Sequence, residues 1–351
     1  MGRMTQSPRK RPTSFDVAHL AGVSQSTVSR ALAGSPSITE ATRNRVMAAA
    51  AELDYLVDER AARLRRGTTS TLAVVVLRRP EDTVRSANPF YQELLYSVCE
   101  AAATRQLDTL VSLQSDDGDL SGRYVEQGQA DGLVVIGSPT NVRAWEYFHE
   151  LEADTSYDSP DTIGHAAYWG TPHEDMRWVR ADNATGGRLA VRHLTDAGYR
   201  SIAYAGSDGN VQQQFRERHE GYLAEMADRG LAPRMIAVDQ DSSREDQGRA
   251  AADAVLAAGD VDAMFVACDR MALGVLDRLS GLGTNVPGDI GVVGFDGMGA
   301  GRFSNPPLST IEPDLAAAGK MLVDAAIDGV AQADGVRVPV RYVARSSVRS
   351  E

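Results

Sequence analysis

The 351-residue sequence predicts a small all-α head followed by a much larger, two-lobed α/β body. Three observations predict it. From Phe15 to Leu32 apolar residues recur at three- and four-residue spacing, with one break at Gly22. From Thr71 onward, buried-type strand segments alternate with amphipathic helical ones. The charge also changes sign along the chain. Residues 1–67 hold eleven Lys/Arg against six Asp/Glu, a net +5, while the remainder holds 25 against 42, a net −17.

The head begins with residues 1–12, basic and punctuated by proline, which read as a disordered arm. A compact three-helix domain is expected over 13–57. Thr13 and Asp16 have capping-box spacing at the start of its first helix, where Val17, Ala18, Leu20 and Ala21 offer an apolar face. Gly22 ends that helix, and Ser24 is placed to cap the second, in which Thr27, Val28, Ala31 and Leu32 share a stripe. The polar set Gln25, Ser26, Ser29 and Arg30 lies off that stripe. Two short helices around a tight turn, the second with a free polar face, are the build of a helix-turn-helix that enters the DNA major groove. Thr39 caps a third helix, with Val46, Ala50 and Leu53 on one side. Over 58–70, Asp58 can cap a short helix running to Arg66, and Gly67 with the Thr/Ser run after it reads as a linker. A basic head on an acidic body fits a phosphate-binding module tethered to a part that does not touch nucleic acid.

In the body, LAVVVL (72–77), TLVSL (109–113), GLVVIG (132–137), SIAYAG (201–206), MIAV (235–238), AMFVA (263–267) and IGVVGF (290–295) read as buried strands. Between them, helices are expected from Tyr91 to Gln106, near 120–129, over 141–151, 184–197, 213–229 and 244–258, and from Asp269 to Leu282. A helix at 315–329 and a strand near 337–343 close the chain. Residues 152–178 show no clean period and read as a loop with one weak strand near HAAYW. About 280 residues of βα units exceed one parallel sheet, so two lobes are expected. Lobe one takes about 71–180 plus 310–335, and lobe two about 181–309 plus 336–348. Ligands in such folds bind beyond the carboxyl ends of strands, which gathers the loops after 77, 137, 206, 238, 267 and 295 into an intervening cleft.

Other functions find little support. GMGAGR (297–302) puts arginine where a dinucleotide-binding turn needs its last glycine, no GxxxxGK[ST] occurs, and the six histidines lack HExxH-like spacing. No cofactor, catalytic group or metal is therefore expected. Cys99 and Cys268 read as buried thiols in a reducing cytoplasm. No apolar run reaches the roughly 18 residues of a membrane span, so a cytoplasmic protein is expected.

The chain resembles the LacI family of transcriptional regulators. The resemblance is carried by DVAHLAGVSQSTVSRAL, ITEATRNRV, AARL, NPFYQELLYSVCEAA, DGLVVIG, RADNATGGRLAVRHLTDAGYRSIAYAG, RERHEGY, AMFVACDRMALGVL and VPGDIGVVGFDG, which together span nearly all of it. It implies a periplasmic-binding-protein-like effector domain, with parallel sheets covered by helices and lobes joined by three crossing strands. It implies a repressor acting as a homodimer on a near-palindromic operator in double-stranded DNA, released or held by a small, sugar-like effector. By matching position, Gln25, Ser26 and Arg30 would read bases, and Ser24, Thr27 and Ser29 would contact phosphates. Ala61 and Leu64 would lie in the hinge, with Leu64 wedged into a base step. Phe90, Arg218, Ser243, Cys268 and Asp296 would line the effector site. The sequence departs from the family pattern at Ser243, where an aromatic is common, at Cys268, where Asn or Asp is common, at Ala33, where Asn is common, and in the length of 152–178.

Overall fold

The computed structural model describes residues 12–55, 68–78, 88–116, 118–153, 165–207, 212–239, 242–329 and 335–350. The chain divides into two compact units, Met1–Gly67 and Thr68–Glu351. The expected basic arm, apart from Pro12, and the expected hinge helix with Ala61 and Leu64 fall outside the described residues.

The first unit contains α1 (Ser14–Ala21), α2 (Gln25–Leu32) and α3 (Glu40–Glu52). The Asp16 carboxylate accepts the Thr13 backbone N–H at 2.7 Å and fixes the start of α1. Gly22, at φ 64°, takes the left-handed conformation that stops it. Ser24 Oγ accepts the Thr27 N–H at 3.2 Å, and Thr39 Oγ1 accepts the Thr42 N–H at 3.4 Å. Val17, Ala18, Ala21, Val28, Ala31, Val46, Ala49 and Ala50 form the core. Leu20 is not part of it. It falls roughly a quarter turn off the Val17–Ala18–Ala21 stripe and is 44% exposed.

In the second unit, lobe one is a parallel sheet of order β2-β1-β3-β4, made of β1 (Thr71–Arg78), β2 (Asp108–Ser115), β3 (Gly132–Ile136) and β4 (Ala166–Trp169). Val74 stands opposite Val111 on one side and Val134 on the other. Helix α4 (Pro89–Thr104) lies on one face, and α5 (Val142–Ala153) buries Trp145, Phe148 and Leu151 in the core of the other. The helix expected near 120–129 is instead a run of turns. Gly118, Gly122 and Gly128 weaken helix there, and the Gln114 side chain engages both the N–H and the carbonyl of Ser121 at 2.9 Å. The weak strand expected near HAAYW is β4.

A short strand, β5 (Val179–Ala181), leads to lobe two. There α6 (Asn183–Asp196), β6 (Ile202–Gly206), α7 (Gln213–Asp228), β7 (Arg234–Ala237), α8 (Arg244–Ala258), β8 (Ala263–Val266), α9 (Asp269–Gly281) and β9 (Gly291–Phe295) alternate as expected. β10 (Ser309–Pro313) follows, and α10 (Leu315–Asp328) returns to pack against α4, with Arg105 bridging Asp324 at 2.9 Å and Asp328 at 2.6 Å. The last segment is two strands, β11 (Val336–Val338) and β12 (Val340–Val343). The six-stranded sheet runs β12-β10-β9-β8-β6-β7, with only β12 antiparallel to its neighbour. Residues 310–313, assigned to lobe one on the sequence, therefore pair inside lobe two, because β9 binds β10 edge to edge. β11 pairs in parallel with β5 as a separate two-stranded ribbon where the chain passes between lobes. Among the described residues no helix is long and apolar enough to cross a membrane.

Candidate functional site

In the first unit, α2 presents an outer face. Ser24, Ser26 and Arg30 are exposed, and Gln25, Thr27 and Ser29 are half-buried. The helix starts are tied down by side chains. Ser24 Oγ lies 2.9 Å from both Ser26 Oγ and Thr27 Oγ1, and Gln25 Nε2 donates to Ser14 Oγ at 3.2 Å. By contrast, the Arg30 guanidinium has no hydrogen-bond or ion-pair partner among the described residues. A guanidinium held on a short packed helix with its five donors free can make a bidentate contact with a planar acceptor edge.

In the second unit, a cleft of about 670 Å³ opens at the carboxyl ends of strands from both lobes. It brings together all five cleft residues singled out on the sequence: Phe90, Arg218, Ser243, Cys268 and Asp296. Arg218 sits on α7 because glycines let that helix approach α6 closely. A Cβ on Gly187 would strike the Arg218 carbonyl, and one on Gly221 would strike Ala184. Its guanidinium Nη2 meets Asp296 Oδ1 at 3.2 Å, Nε donates to Asn183 Oδ1 at 3.0 Å, and Nη1 donates to the Ala267 carbonyl at 2.5 Å. The Phe295 ring packs 3.5 Å from it. Asp296 follows β9 with φ 116°, a strained value for an L-residue. It is pinned by its N–H to the Ile311 carbonyl at 2.8 Å, while the next two N–H groups donate to Thr310 Oγ1 and Asp269 Oδ2. Burial pushes the Asp296 carboxyl up to about 6, with Arg218 pulling against it.

The other expected residues have plainer geometry. Cys268 is buried, which pushes its thiol up to about 11. Ser243 lines the cleft, but its hydroxyl caps α8, accepting the Asp246 N–H at 3.1 Å and donating to the Asp246 carboxylate at 2.7 Å. Its neighbour Arg244, not singled out on the sequence, presents a guanidinium 4.9 Å from the Phe215 ring at the same wall. Trp169 was missed too. It ends β4 inside the cleft, 5.8 Å from Phe90, so lobe one has an aromatic wall of its own. Its signal was there: a strand whose last residue is aromatic ends where ligands collect.

Behind the cleft lies a charge cluster centred on a buried carboxylate. Glu217, next to Arg218, accepts from Arg180 at 3.1 Å, from Arg337 at 3.0 Å and from Asn183 at 3.0 Å. Arg180 is on β5 and Arg337 on β11, so the two crossing strands are fastened to α7 at one carboxylate. Burial pushes Glu217 up, but Arg337, Asn183 and Arg180 outweigh it and hold the carboxyl below the usual range. Arg180 Nη2 and Gln212 Oε1, both buried at the cleft, have no hydrogen-bond partner among the described residues. A ligand with hydroxyl groups can satisfy both.

Known proteins resemble this chain in sequence and fold. Residues 15–58 match the bacterial regulatory proteins of the lacI family, and residues 191–348 match a periplasmic binding protein-like domain. The HTH-type transcriptional regulator CelR of Thermobifida fusca is 30% identical over 326 residues, covering 92% of this chain and 93% of its own. The HTH-type transcriptional repressor PurR of Vibrio cholerae is 30% identical over 315 residues, covering 87% of each. Among solved structures, the lac repressor dimer bound to operator and the anti-inducer ONPF superposes with a TM-score of 0.73 at 24% identity, covering 97% of this chain and all of that one. A complex of CelR with cellobiose superposes with a TM-score of 0.61 at 28% identity, covering 96% of this chain and all of that one. With a three-helix head and a two-lobed body in one order, and such identity along almost the full length, the chain belongs to the LacI family of bacterial regulatory proteins.

Proposed function

We propose that this protein is a transcriptional repressor that holds a near-palindromic operator as a homodimer and lets go, or tightens, when a small sugar-like molecule enters the cleft. The observation that carries the effector half is the buried Arg218–Asp296 pair, set among Asn183, Trp169 and Phe90 in a cleft walled by both lobes. Paired charges in a closed, low-dielectric site make strong directional hydrogen bonds to hydroxyl groups, and flat aromatic faces pack on the apolar side of a sugar ring. CelR, solved with cellobiose, supplies the chemical precedent.

For the DNA half, Gln25, Ser26 and Arg30 read base edges in the major groove, with Arg30 on guanine O6 and N7. Ser24, Thr27 and Ser29 hold phosphates and set the register. Ala61 and Leu64 belong to the hinge, where Leu64 enters a central base step beside its partner's copy, which is why the unit is a dimer. Catalysis is not part of this reading. The Cys268 thiol, pushed up by burial, is a poor nucleophile, and Asp296 is committed to Arg218.

The test is selection of duplexes from a random pool by the full chain, followed by competition with a panel of mono- and disaccharides. Enrichment of an inverted repeat, with at least one sugar shifting its retention, is the expected outcome. Retention without any sequence preference would contradict the reading.

A further inference from the structure

On the far side of lobe one, α5 and the connection from β4 to β5 place two imidazoles and a carboxylate together. His149 and His173 are stacked with ring centroids 4.2 Å apart and planes 1° from parallel. His149 Nε2 lies 2.9 Å from Asp175 Oδ2. One ligand-capable atom from each of the three side chains falls within 4.8 Å of the others. A tetrahedral zinc ion with bonds of roughly 2.0–2.1 Å needs its ligand atoms about 3.3 Å apart and lying in both ring planes, so one of the two stacked rings turns about its Cβ–Cγ bond to face the ion.

We propose that His149, His173 and Asp175 form a binding site for a divalent transition metal ion of the zinc class. The donor set argues the class: two imidazoles and one carboxylate suit zinc, cobalt or nickel, whereas magnesium and calcium want oxygen donors. The ligands stand on built elements. His149 is on α5, whose neighbouring Phe148 is fully buried. The His173 N–H donates to Thr171 Oγ1 at 3.2 Å, and that hydroxyl is buried against Met176 at 3.0 Å. Access is open, since the His149 and Asp175 side chains are 37% and 71% exposed.

The position gives an ion there a consequence. Glu174, between the two ligands of the connecting loop, bonds Arg180 at 3.1 Å and Gln213 of α7. Ligation on both sides of Glu174 fixes the residue that ties lobe one to the helix carrying Arg218.

The experiment titrates the untagged full-length chain with zinc sulfate, cobalt chloride and magnesium chloride by calorimetry, with thermal unfolding in parallel. The expected result is one zinc per chain and a midpoint raised by a few degrees at saturating zinc, with no effect of magnesium. His149→Ala and His173→Ala each weaken zinc binding roughly tenfold or more. Cys99→Ser leaves it unchanged, and the cobalt complex shows no thiolate charge-transfer band. Asp175→Asn, at an exposed position, gives the same weakening should a histidine variant fail to fold. No heat with zinc, an equal response to magnesium, or unaltered zinc binding in the folded variants would overturn the proposal.

Discussion

Arg218 Nη2 stands 3.2 Å from Asp296 Oδ1, and each side chain is about nine-tenths shut off from solvent. Every other donor of Arg218 that forms a bond is taken by Asn183 or the Ala267 carbonyl, so the pair is fixed before any ligand arrives. Such a pair contributes less to stability than its geometry suggests, since two desolvated ions must be offset by their attraction. Breaking it is another matter. Arg218→Met should cost about 3–5 kcal/mol in urea unfolding, because the Asp296 carboxylate is left buried alone. Adding Asp296→Asn should recover part of that, and a simple sum of the two single effects would show that the residues do not interact.

Asp296 also predicts a pH dependence. Its folded value is about 6, above an unfolded value of about 3.9, so the folded state binds the proton more tightly. Its contribution is favourable below the unfolded value and is lost as pH rises through about 4 to 6, a change of about 3 kcal/mol. Asp269, buried and raised for the same reason of burial, adds to the slope with the same sign. Comparing wild type with Asp296→Asn across this window isolates the Asp296 share. Parallel stability curves for the two proteins would show that Asp296 titrates normally.

Arg30→Ala should weaken binding to the selected operator by about 1–3 kcal/mol and relax preference at one base pair in each half-site. Ser29→Ala should weaken binding alike on all duplexes, as loss of a phosphate contact does. Anisotropy titrations on operator and on single-base variants separate the two. Equal losses on every duplex for Arg30→Ala would remove its base-reading role.

Glu217→Gln should leave Arg180 and Arg337 without their shared carboxylate. We expect a loss of about 3–5 kcal/mol by chemical denaturation. Arg337→Ala should cost much less, because the Arg337 side chain is 44% exposed and water takes over its role. A larger loss for Arg337→Ala than for Glu217→Gln would contradict the cluster's assigned centre.

Much of this fold is legible in the sequence because burial on two faces leaves continuous apolar runs, as in GLVVI and GVVGF. The head is legible for a different reason: Thr13, Gly22, Ser24 and Thr39 punctuate it with caps that the structure uses. β5 is not legible, since its three residues show no period, and neither is its pairing with β11, which joins distant parts of the chain. β10 hides for a related reason, with a glutamate and a proline within STIEP and its strand character supplied by β9 and β12. In the cleft, the resemblance led to Arg218 and Asp296 and also to Ser243, whose hydroxyl turned out to cap α8, while the adjacent Arg244 faces the cleft. Glu217 looked like one acid among many in RERHEGY, because only tertiary structure brings Arg180 and Arg337 to it.

The most direct test is an anisotropy titration of the full chain onto its selected operator, with and without the sugar that shifts retention, in wild type and Asp296→Asn. Wild type should change operator affinity by about 5–150-fold on saturation with the sugar, the range of a coupling of 1–3 kcal/mol, and Asp296→Asn should bind the operator but lose that response. An unchanged response in Asp296→Asn, or operator affinity indifferent to every sugar in wild type, would contradict the account.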